Sequence, residues 1–324
     1  MTDSEVTDFT GIPIDALRAD ALTDFAVFVK SRSGFAMFRK PGEELGPSEI
    51  QQLKVGGVDT LYVRADDRER LGQYYVENLD QVLGDPSLPK NQKAEILHAS
   101  SSFLAREIMD RPNSVHVNRS RPVVVATVQQ VLNIPEMLME LIKATGVSYS
   151  MHAHMVNCGI FSMAICIALG VKDPEELNTL TLAAFLHDLG KAQIPYQILH
   201  KQGELTSAEW GLMRQHPLLG YNILQGVPDM PEQITQAARS HHERMDGGGY
   251  PDGQSGGTIP FSARVTAVVD VFGALTSSTP YREKMSSYDA ILMMKDRLKG
   301  QFDPEILKAL VLSLGRRNPA AASV

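Results

Sequence analysis

Hydrophobic and polar positions divide the chain into a short mixed segment and a longer helical one. In the short segment, two apolar stretches flank a polar loop, which is the pattern of a β-hairpin, and a helical piece and a third strand follow. In chain order these elements are predicted at 25–29, 35–38, 47–53 and 60–63. We therefore expect a small α+β module, regulatory or sensory in role, over residues 1–72.

Beyond residue 66, apolar residues recur at intervals of three and four, which indicates amphipathic helices. Three such helices are predicted, at 68–83, 90–108 and 121–145. We interpret 73–146 as a helical linker or stalk whose last helix leads into the following segment. Residues 147–324 are predicted to be helical nearly throughout, apart from a glycine-rich loop at 246–257. The predicted fold class is mainly α, with an all-helical domain preceded by the small α+β module.

Composition and charge narrow the function classes. The chain has 324 residues, of which 43% are hydrophobic and 21% charged, the mix of a globular protein. A net charge of −7 and a pI near 5.7 argue against a binder of nucleic acid polymers, which normally presents a basic face. An anionic ligand must then be held by metal ions or by a few well-placed Lys and Arg side chains.

Cysteine usage and the apolar segments suggest a cytoplasmic protein without a membrane span. The two cysteines, Cys158 and Cys166, lie eight residues apart in one apolar stretch, as expected of buried thiols in a helix rather than a disulfide. Neither is expected at a metal site. The longest apolar run, 155–169, is short for a membrane span and is interpreted as a buried helix. The N-terminus lacks the apolar core of a signal peptide.

Histidines and aspartates form the candidate chemistry of the second half. Seven of the nine histidines fall between residues 152 and 242, including two His-rich pairs, and an aspartate is embedded in the apolar run 265–275. An unpaired buried carboxylate costs several kcal/mol, and a metal ion is an efficient partner for it. Imidazole and carboxylate together suit iron, manganese, zinc or nickel. The residues concerned are His187, Asp188, His216, His241, His242 and Asp270.

Each of these residues also has an ordinary structural interpretation. A lone histidine such as His200 is usually a surface residue, a lone His-Asp dipeptide is usually unrelated to metal, and Asp270 alone could be an ion-paired core residue. Two adjacent pairs, a further histidine and a buried aspartate within one helical domain are much harder to explain separately. The set as a whole therefore favours a metal site.

The order of these motifs resembles the HD-GYP family, a branch of the HD phosphohydrolases. The resemblance rests on His154, His187-Asp188-Leu-Gly-Lys191, His216, His241-His242-Glu243, Gly249-Tyr250-Pro251 and Asp270. It covers roughly residues 147–310, about half of the chain. It implies that 147–324 is an all-helical, metal-dependent hydrolase domain of the HD type, whereas the first half carries no comparable motif.

The resemblance also implies a role for each matching residue. The metal ligands would be His154, His187, Asp188, His216, His241, His242 and Asp270. Asp188 would bridge two ions and, with Lys191, form the catalytic pair. Substrate contacts would come from Lys191, Gly249, Tyr250, Pro251 and Arg282. His154 is preferred to His152 as the first ligand, because its distance along the chain to Leu169-Gly170 fits the family helix better.

Three positions depart from the family pattern. Ser150 stands where some members have a glutamate that binds a third metal, so we expect two divalent ions, iron or manganese first and nickel or zinc as alternatives. Thr279 replaces an arginine that ordinarily contacts a phosphate, which affects the expected substrate contacts. Gly273 replaces a common aspartate, and the sequence alone gives no functional account of that change.

The activity implied by the resemblance is hydrolysis of cyclic di-GMP to linear pGpG, with further cleavage to GMP as an open step. Cyclic GMP-AMP is a related substrate. The main alternative is a bacterial signalling module that binds a cyclic dinucleotide with little or no catalysis, and a weaker one is a nucleotide phosphohydrolase of the wider HD superfamily. A homodimer through the helical linker and a signalling protein partner also stay open.

Overall fold

The computed structural model describes residues 9–18, 23–31, 34–86, 88–145, 150–277 and 283–315. Within these residues the chain begins with a four-stranded sheet and continues as helices joined by short turns. This agrees with the predicted class, a mainly helical protein preceded by a small α+β segment.

The N-terminal sheet is antiparallel throughout. Its strands are β1 (Phe9–Pro13), β2 (Val27–Ser31), β3 (Gly34–Arg39) and β4 (Thr60–Arg64), in the spatial order β1-β4-β2-β3. The hairpin and the last strand lie where the sequence predicts them. β1 was not predicted, because Phe9–Pro13 mixes Thr, Gly and Pro with its apolar residues and becomes a strand by pairing with β4, with Ile12 opposite Leu61.

Fourteen helices are found in the described residues, together with short 3-10 turns. They are α1 (Pro47–Val55), α2 (Arg68–Gly84), α3 (Lys90–Asp110), α4 (Ser114–Asn133), α5 (Met137–Ala144), α6 (Met151–Ala168), α7 (Pro174–Leu186), α8 (Tyr196–Leu199), α9 (Ser207–Met213), α10 (His216–Gln225), α11 (Glu232–Ser240), α12 (Phe261–Thr276), α13 (Ser287–Asp296) and α14 (Pro304–Gly315). The predicted helices at 68–83 and 90–108 correspond to α2 and α3.

The single helix predicted at 121–145 was wrong, since two helices occupy this region. α4 begins earlier because the Asn113 side chain accepts the His116 N–H at 3.1 Å and caps its first turn. It ends at Asn133 because the following Ile134 precedes Pro135. A residue before proline is disfavoured in the helical region, and proline itself has no N–H to donate. A separate helix, α5, then begins at Met137.

Helix α6 lies at the centre of the second half. It packs against α3, α7, α12 and α14, which explains why it is apolar on every side. Its N-terminus is capped by Ser150, whose hydroxyl accepts the Ala153 N–H at 3.0 Å. Cys158 and Cys166 are both free and buried in it, as the sequence predicted. By length and composition α6 is apolar enough to cross a membrane, but 78% of it is buried inside the protein, as in a core helix.

The two halves of the described chain share a continuous hydrophobic core. The cluster extends from Ile12 in the sheet to Leu310 in α14. α3 packs along α6 and α4 packs along α7, so the helices predicted as a linker lie side by side with those that carry the candidate ligands. The boundaries at residues 72 and 146 stay a prediction, and α3 also contacts β1 of the N-terminal sheet.

Candidate metal centre

The seven predicted metal ligands converge from five separate parts of the chain. His154 lies in α6, His187 and Asp188 follow the end of α7, His216 opens α10, His241 and His242 follow the end of α11, and Asp270 lies in α12. Six of the seven are buried and His242 is partly exposed. Helix packing alone brings these side chains together, since residues up to 116 positions apart are in contact.

Asp188 stands between two sets of donor atoms. Its Oδ2 lies 3.4 Å from His187 Nε2 and 3.9 Å from His154 Nε2. Its Oδ1 lies 3.4 Å from His216 Nε2 and 3.8 Å from His241 Nε2. One carboxylate oxygen therefore faces each set, which is the arrangement expected of a ligand shared by two ions.

We name the two sets by their composition. The carboxylate set is His154, His187, Asp188 and Asp270, and the imidazole set is His216, His241 and His242. In each set the potential ligand atoms lie within 4.8 Å of one another. Asp270 completes the carboxylate set, because its Oδ1 lies 3.1 Å from His154 Nε2 and 3.6 Å from His187 Nε2.

The orientation of three histidine rings is fixed by the main chain. In each, Nδ1 donates to a carbonyl oxygen three residues earlier: His187 to Ala184 at 2.7 Å, His216 to Met213 at 2.8 Å and His241 to Ala238 at 2.9 Å. A carbonyl oxygen only accepts, so Nδ1 carries a proton in each ring. Burial lowers the pKa of His216 and His241, so these two rings are neutral and present an unprotonated Nε2. This second-sphere bond is typical of histidines that bind metals.

The imidazole set brings such nitrogens face to face. His216 Nε2 lies 3.2 Å from His241 Nε2 and 3.2 Å from His242 Nε2. At least one of these contacts sets two lone pairs against each other, because His216 and His241 both hold their proton on Nδ1. Two facing lone pairs repel unless a cation lies between them. The geometry is therefore unfavourable for protein alone and favourable around a positive ion.

Unsatisfied buried atoms point to the same conclusion. His187 Nε2 and Asp188 Oδ1 are buried and have no hydrogen-bond partner among the described residues. Leaving such a group unpaired costs about 1–3 kcal/mol each. Divalent metals bind imidazole nitrogen and carboxylate oxygen at about 2.0–2.2 Å, so neighbouring ligands of one ion lie roughly 3.0–3.5 Å apart. The spacings above fall in or just beyond that range, and the donor set fits a pair of divalent ions.

Charge is distributed unequally between the two sets. Burial lowers the pKa of His216 to about 3 and holds that of His241 well below its usual value, so the imidazole set is neutral at neutral pH. Burial opposes the charge of both carboxyls, but His187 and Lys191 beside Asp188, and His154 and His187 beside Asp270, outweigh it and hold the pKa of each carboxyl well below its usual value. The two carboxylates therefore supply the negative charge that would neutralise bound cations.

Lys191 lies directly beside the bridging carboxylate. It belongs to the 3-10 turn Leu189–Gln193, and its Nζ lies 2.5 Å from Asp188 Oδ2. The carboxylates raise the pKa of this amine against the opposing effect of burial, so it is a cation. Gly190 allows this turn to pack on α10, because a Cβ there would collide with the main-chain oxygen of His216. Lys191 thus presents a positive charge at the edge of the two sets.

The predicted Gly249-Tyr250-Pro251 contact loop lies against the imidazole set. A Cβ on Gly249 would come within 2.5 Å of Glu243 Cα, so only glycine lets the loop approach so closely. The Tyr250 ring stacks on His242 with 4.7 Å between centroids and 21° between planes. Pro251 follows Tyr250 through a cis peptide bond. Arg282 and Thr279, by contrast, lie outside the described residues.

Both sets open into one cleft of about 850 Å³, which Lys191 and Tyr250 also line. Sequence reasoning missed two further residues of its wall. Trp210 is half exposed, and the Arg214 guanidinium lies over the Tyr250 ring, 5.0 Å from its centroid. The available signal was their spacing of four residues, which places both side chains on one helical face.

Four other residues named from the sequence can now be placed. His152 belongs to neither set, and His200 is an exposed residue stacked on Tyr196. Ser150 caps α6 and offers no ligand in either set. Gly273 now has a structural account, because a Cβ there would lie 3.3 Å from the His154 ring and crowd it.

The expectation that neither cysteine lies at the site was wrong for Cys158. Its Sγ lies 3.6 Å from His154 Nε2, because the two residues are one helical turn apart on the same face of α6. Burial raises the pKa of this thiol, so it stays neutral beside the carboxylate set. Cys158 could join His154 and His187 around an ion only after losing its proton.

Comparison with known proteins shows which family this chain matches. A family model described as HD domain matches residues 136–306. The chain is 42% identical to the cyclic di-GMP phosphodiesterase response regulator RpfG of Xanthomonas campestris pv. campestris, over 44% of this chain and 38% of that protein. It is 35% identical to the cyclic di-GMP phosphodiesterase PA4108 of Pseudomonas aeruginosa, over 57% of this chain and 44% of that protein.

Two further similarities bear on substrate and fold. A 3'3'-cGAMP-specific phosphodiesterase 3 of Vibrio cholerae is 33% identical over 50% of this chain and 35% of its own length. The solved structure of Bd1817, an HDG"Y"P protein from Bdellovibrio bacteriovorus, has a TM-score of 0.69 and 20% identity, and covers 95% of this chain and 99% of that one. This likeness shows a common fold. The chain spans less than half the length of the three curated relatives.

Proposed function

Because the chain belongs to the HD domain family, whose model matches residues 136–306, we propose that it is a metal-dependent phosphodiesterase that hydrolyses cyclic di-GMP to linear pGpG, with GMP as a further product. One observation carries this proposal: the Asp188 carboxylate lies between two sets of converging metal-binding atoms. The names of the relatives supply the substrate class, since two of them are cyclic di-GMP phosphodiesterases.

The two sets of donor atoms support a proposal for which residues would hold the metals. One ion would bind the carboxylate set and the other the imidazole set, with Asp188 shared between them. When bound, a pair of divalent ions lowers the pKa of a coordinated water so that it is deprotonated at neutral pH. The ions also neutralise part of the phosphate charge. Nitrogen and oxygen donors of this kind suit iron and manganese, with nickel and zinc as alternatives.

The remaining residues of the cleft act on the substrate. Lys191 holds a cation beside the bridging carboxylate, where it would bind a non-bridging phosphate oxygen and lower the charge repulsion against an anionic substrate. The Tyr250 ring already contacts His242 and Arg214, which favours its hydroxyl as the contact to phosphate over stacking on a base. Trp210, half exposed in the same wall, offers a flat apolar surface to a purine.

The test is a product assay on protein purified without oxygen and loaded with iron or manganese. Incubated with cyclic di-GMP, it should yield linear pGpG, separated and identified by chromatography. Elemental analysis of the same sample gives the number and identity of the bound ions. Tight binding of cyclic di-GMP without any linear product would reject the phosphodiesterase and favour a signalling module that only binds the nucleotide.

Substrate preference is tested in the same assay. The similarity to a 3'3'-cGAMP-specific enzyme makes cyclic GMP-AMP the second candidate. Comparing kcat/KM for the two cyclic dinucleotides under identical metal loading ranks them directly. We expect cyclic di-GMP to be preferred, because the two relatives named for it are the more similar to this chain.

The proposal extends to the organisation of the chain in the cell. We propose a regulatory or sensory module over residues 1–72, a helical segment over 73–146 and a catalytic domain over 147–324, acting in the cytoplasm. α3 and α4 are the surfaces through which a homodimer or a signalling partner would be sought. Size-exclusion chromatography with light scattering at several protein concentrations tests the dimer.

A further inference from the structure

A second cavity, of about 240 Å³, lies where the N-terminal sheet meets α3 and the first turn of α6. It shares no lining residue with the metal cleft. Its volume equals that of roughly eight liquid waters, far more than a single structural water requires. It is also below the roughly 300–1,000 Å³ of pockets for drug-sized ligands, so a cyclic dinucleotide does not fit.

Arg106 gives this cavity its charge. The side chain projects from α3 into the cavity wall and is partly buried. It forms no hydrogen bond or ion pair with any residue in the described ranges. Burial and the nearby Arg68 lower its pKa, and Asp110 and Glu107 oppose them only in part, so the surroundings on balance disfavour the positive charge that the guanidinium retains. No acidic residue lines the cavity among those described. Asp110 and Glu107 interact with Arg106 from outside the cavity, so a bound anion would be its partner on the cavity side.

Uncharged donors surround the same space. Ser102 Oγ and His152 Nδ1 are buried and have no hydrogen-bond partner in the described part of the chain. Tyr75 is only 3% exposed, lines the cavity, and its hydroxyl forms no hydrogen bond with a described residue. The first turn of the 18-residue helix α6 forms the adjacent wall, and a helix N-terminus favours negative charge. The two hydroxyls, the helix N-terminus and, in the tautomer that carries its proton on Nδ1, His152 offer hydrogens or positive potential to one ligand.

The rest of the wall is apolar. Ile12 of β1 and Phe103 of α3 are 2% and 6% exposed and both line the cavity. An inorganic ion would leave these surfaces against water, whereas an organic molecule would cover them. We propose that this cavity binds a small organic anion, with its carboxylate or phosphate group held by Arg106 and the surrounding donors and its apolar body against Ile12 and Phe103.

The experiment uses the full-length, metal-loaded protein and three probes. Benzoate supplies a carboxylate on a small apolar ring, benzamide is its neutral analogue, and inorganic phosphate is an anion without an apolar body. Binding is measured by titration calorimetry and by the shift of Tm. We expect saturable binding of benzoate, at least about tenfold tighter than that of benzamide, and competition by phosphate.

Two variants test, by independent means, whether benzoate binds in this cavity. Arg106→Gln removes the charge, and Ala99→Leu on α3 fills the space while Arg106 stays in place. Each should weaken benzoate binding at least about tenfold. Arg111→Gln is the matched control, since this arginine is exposed and lies outside the cavity, and it should bind benzoate as wild type does. Circular dichroism verifies that each variant is folded.

Asp188→Ala separates this proposal from the proposed hydrolysis. Its benzoate affinity should equal that of wild type, even where its phosphodiesterase activity is lost. The proposal is overturned if benzoate shows no saturable binding at millimolar concentration, if benzamide binds equally well, or if Arg106→Gln and Ala99→Leu leave the affinity unchanged. Loss of benzoate binding in Asp188→Ala would place the anion at the metal centre and overturn it too.

Discussion

Histidines of the metal centre and histidines of α3 and α4 differ in what their ring nitrogens meet. In α3, His98 Nε2 pairs with Asn157 Oδ1 at 2.9 Å, and at the start of α4, His116 Nδ1 pairs with Asn113 Oδ1 at 2.9 Å. Each of these rings has an amide partner within the protein, and His116 Nε2, which is buried without a hydrogen-bond partner among the described residues, lies 4.0 Å from the Glu107 carboxylate rather than against another imidazole. In the metal centre, Nδ1 is bonded to the main chain and the Nε2 atoms face one another.

The comparison shows that histidine content does not identify a metal site. Burial lowers the pKa of His98 just as it lowers that of His216, so both rings are neutral. The distinguishing feature is convergence, because several unprotonated nitrogens and two carboxylates share one small volume. Such a cluster is unfavourable without a cation, whereas the His98–Asn157 pair is complete as it stands. Substitutions in the two regions should therefore have different consequences.

The largest effect is expected at the carboxylate that joins the two sets. Asp188→Ala removes the oxygen that belongs to the carboxylate set and the one that faces the imidazole set, and the bound cations lose that charge, so kcat/KM should fall by on the order of 10³-fold or more. Elemental analysis should show less bound metal. Asp80→Ala, at an exposed position in α2, is the control. Full activity with unchanged metal content would refute the bridging role.

Paired histidine variants test the comparison directly. His216→Ala should reduce bound metal and lower kcat/KM by about 10²-fold or more, since ligand geometry of this kind supports metal affinity and activity. His98→Ala should leave metal content unchanged and lower the free energy of unfolding by about 1–2 kcal/mol, because the buried Asn157 oxygen loses its donor. Denaturant unfolding and elemental analysis measure both quantities. Loss of metal in His98→Ala would contradict the distinction between metal-binding histidines and histidines that only stabilise the fold.

A smaller effect on activity is expected at Lys191, which supplies a positive charge to the cleft but does not bind metal. Lys191→Ala should keep its metal and lose on the order of 10²-fold in kcat, because the cation facing the phosphate is gone. Lys191→Arg should recover part of that loss. If Lys191→Ala loses its metal instead, the lysine holds Asp188 in place and the division between ligands and substrate contacts is wrong.

The smallest effect is expected at the loop. Tyr250→Phe keeps the ring that stacks on His242 and removes only the hydroxyl, so KM should rise by up to about tenfold, the value of one hydrogen bond. Tyr288→Phe, at a position that is 71% exposed outside the cleft, is the matched control. An unchanged KM in Tyr250→Phe would assign the residue to packing alone.

Much of the fold followed from local patterns along the chain. Helical periodicity located α2 and α3, and two apolar stretches on either side of a polar loop located the hairpin. The two errors, the single helix at 121–145 and the missed strand β1, came from effects that hydrophobic periodicity does not show. Pro135 divided a periodic stretch into α4 and α5, and β1 exists only through its pairing with a strand about 50 residues later.

The metal centre was predictable in composition but not in arrangement. A buried aspartate in an apolar run and two histidine pairs indicated which residues to examine, and all seven candidates meet. The sequence could not show that Asp188 faces both sets, because that depends on how α7, α10 and α11 pack. A spacing of four residues places Cys158 beside His154, and Trp210 beside Arg214, on one helical face, but the sequence could not show that the second pair faces the cleft.

The bonds from Nδ1 of three histidines to the main chain have a consequence for metal exchange. They are formed by helix ends during folding, so the ligand rings hold their orientation before any ion arrives. Replacing one divalent ion by another then requires no rearrangement of the chain. We expect the metal in a purified sample to reflect the ions supplied during growth, and samples expressed with different supplemented metals to differ in activity while sharing the same backbone.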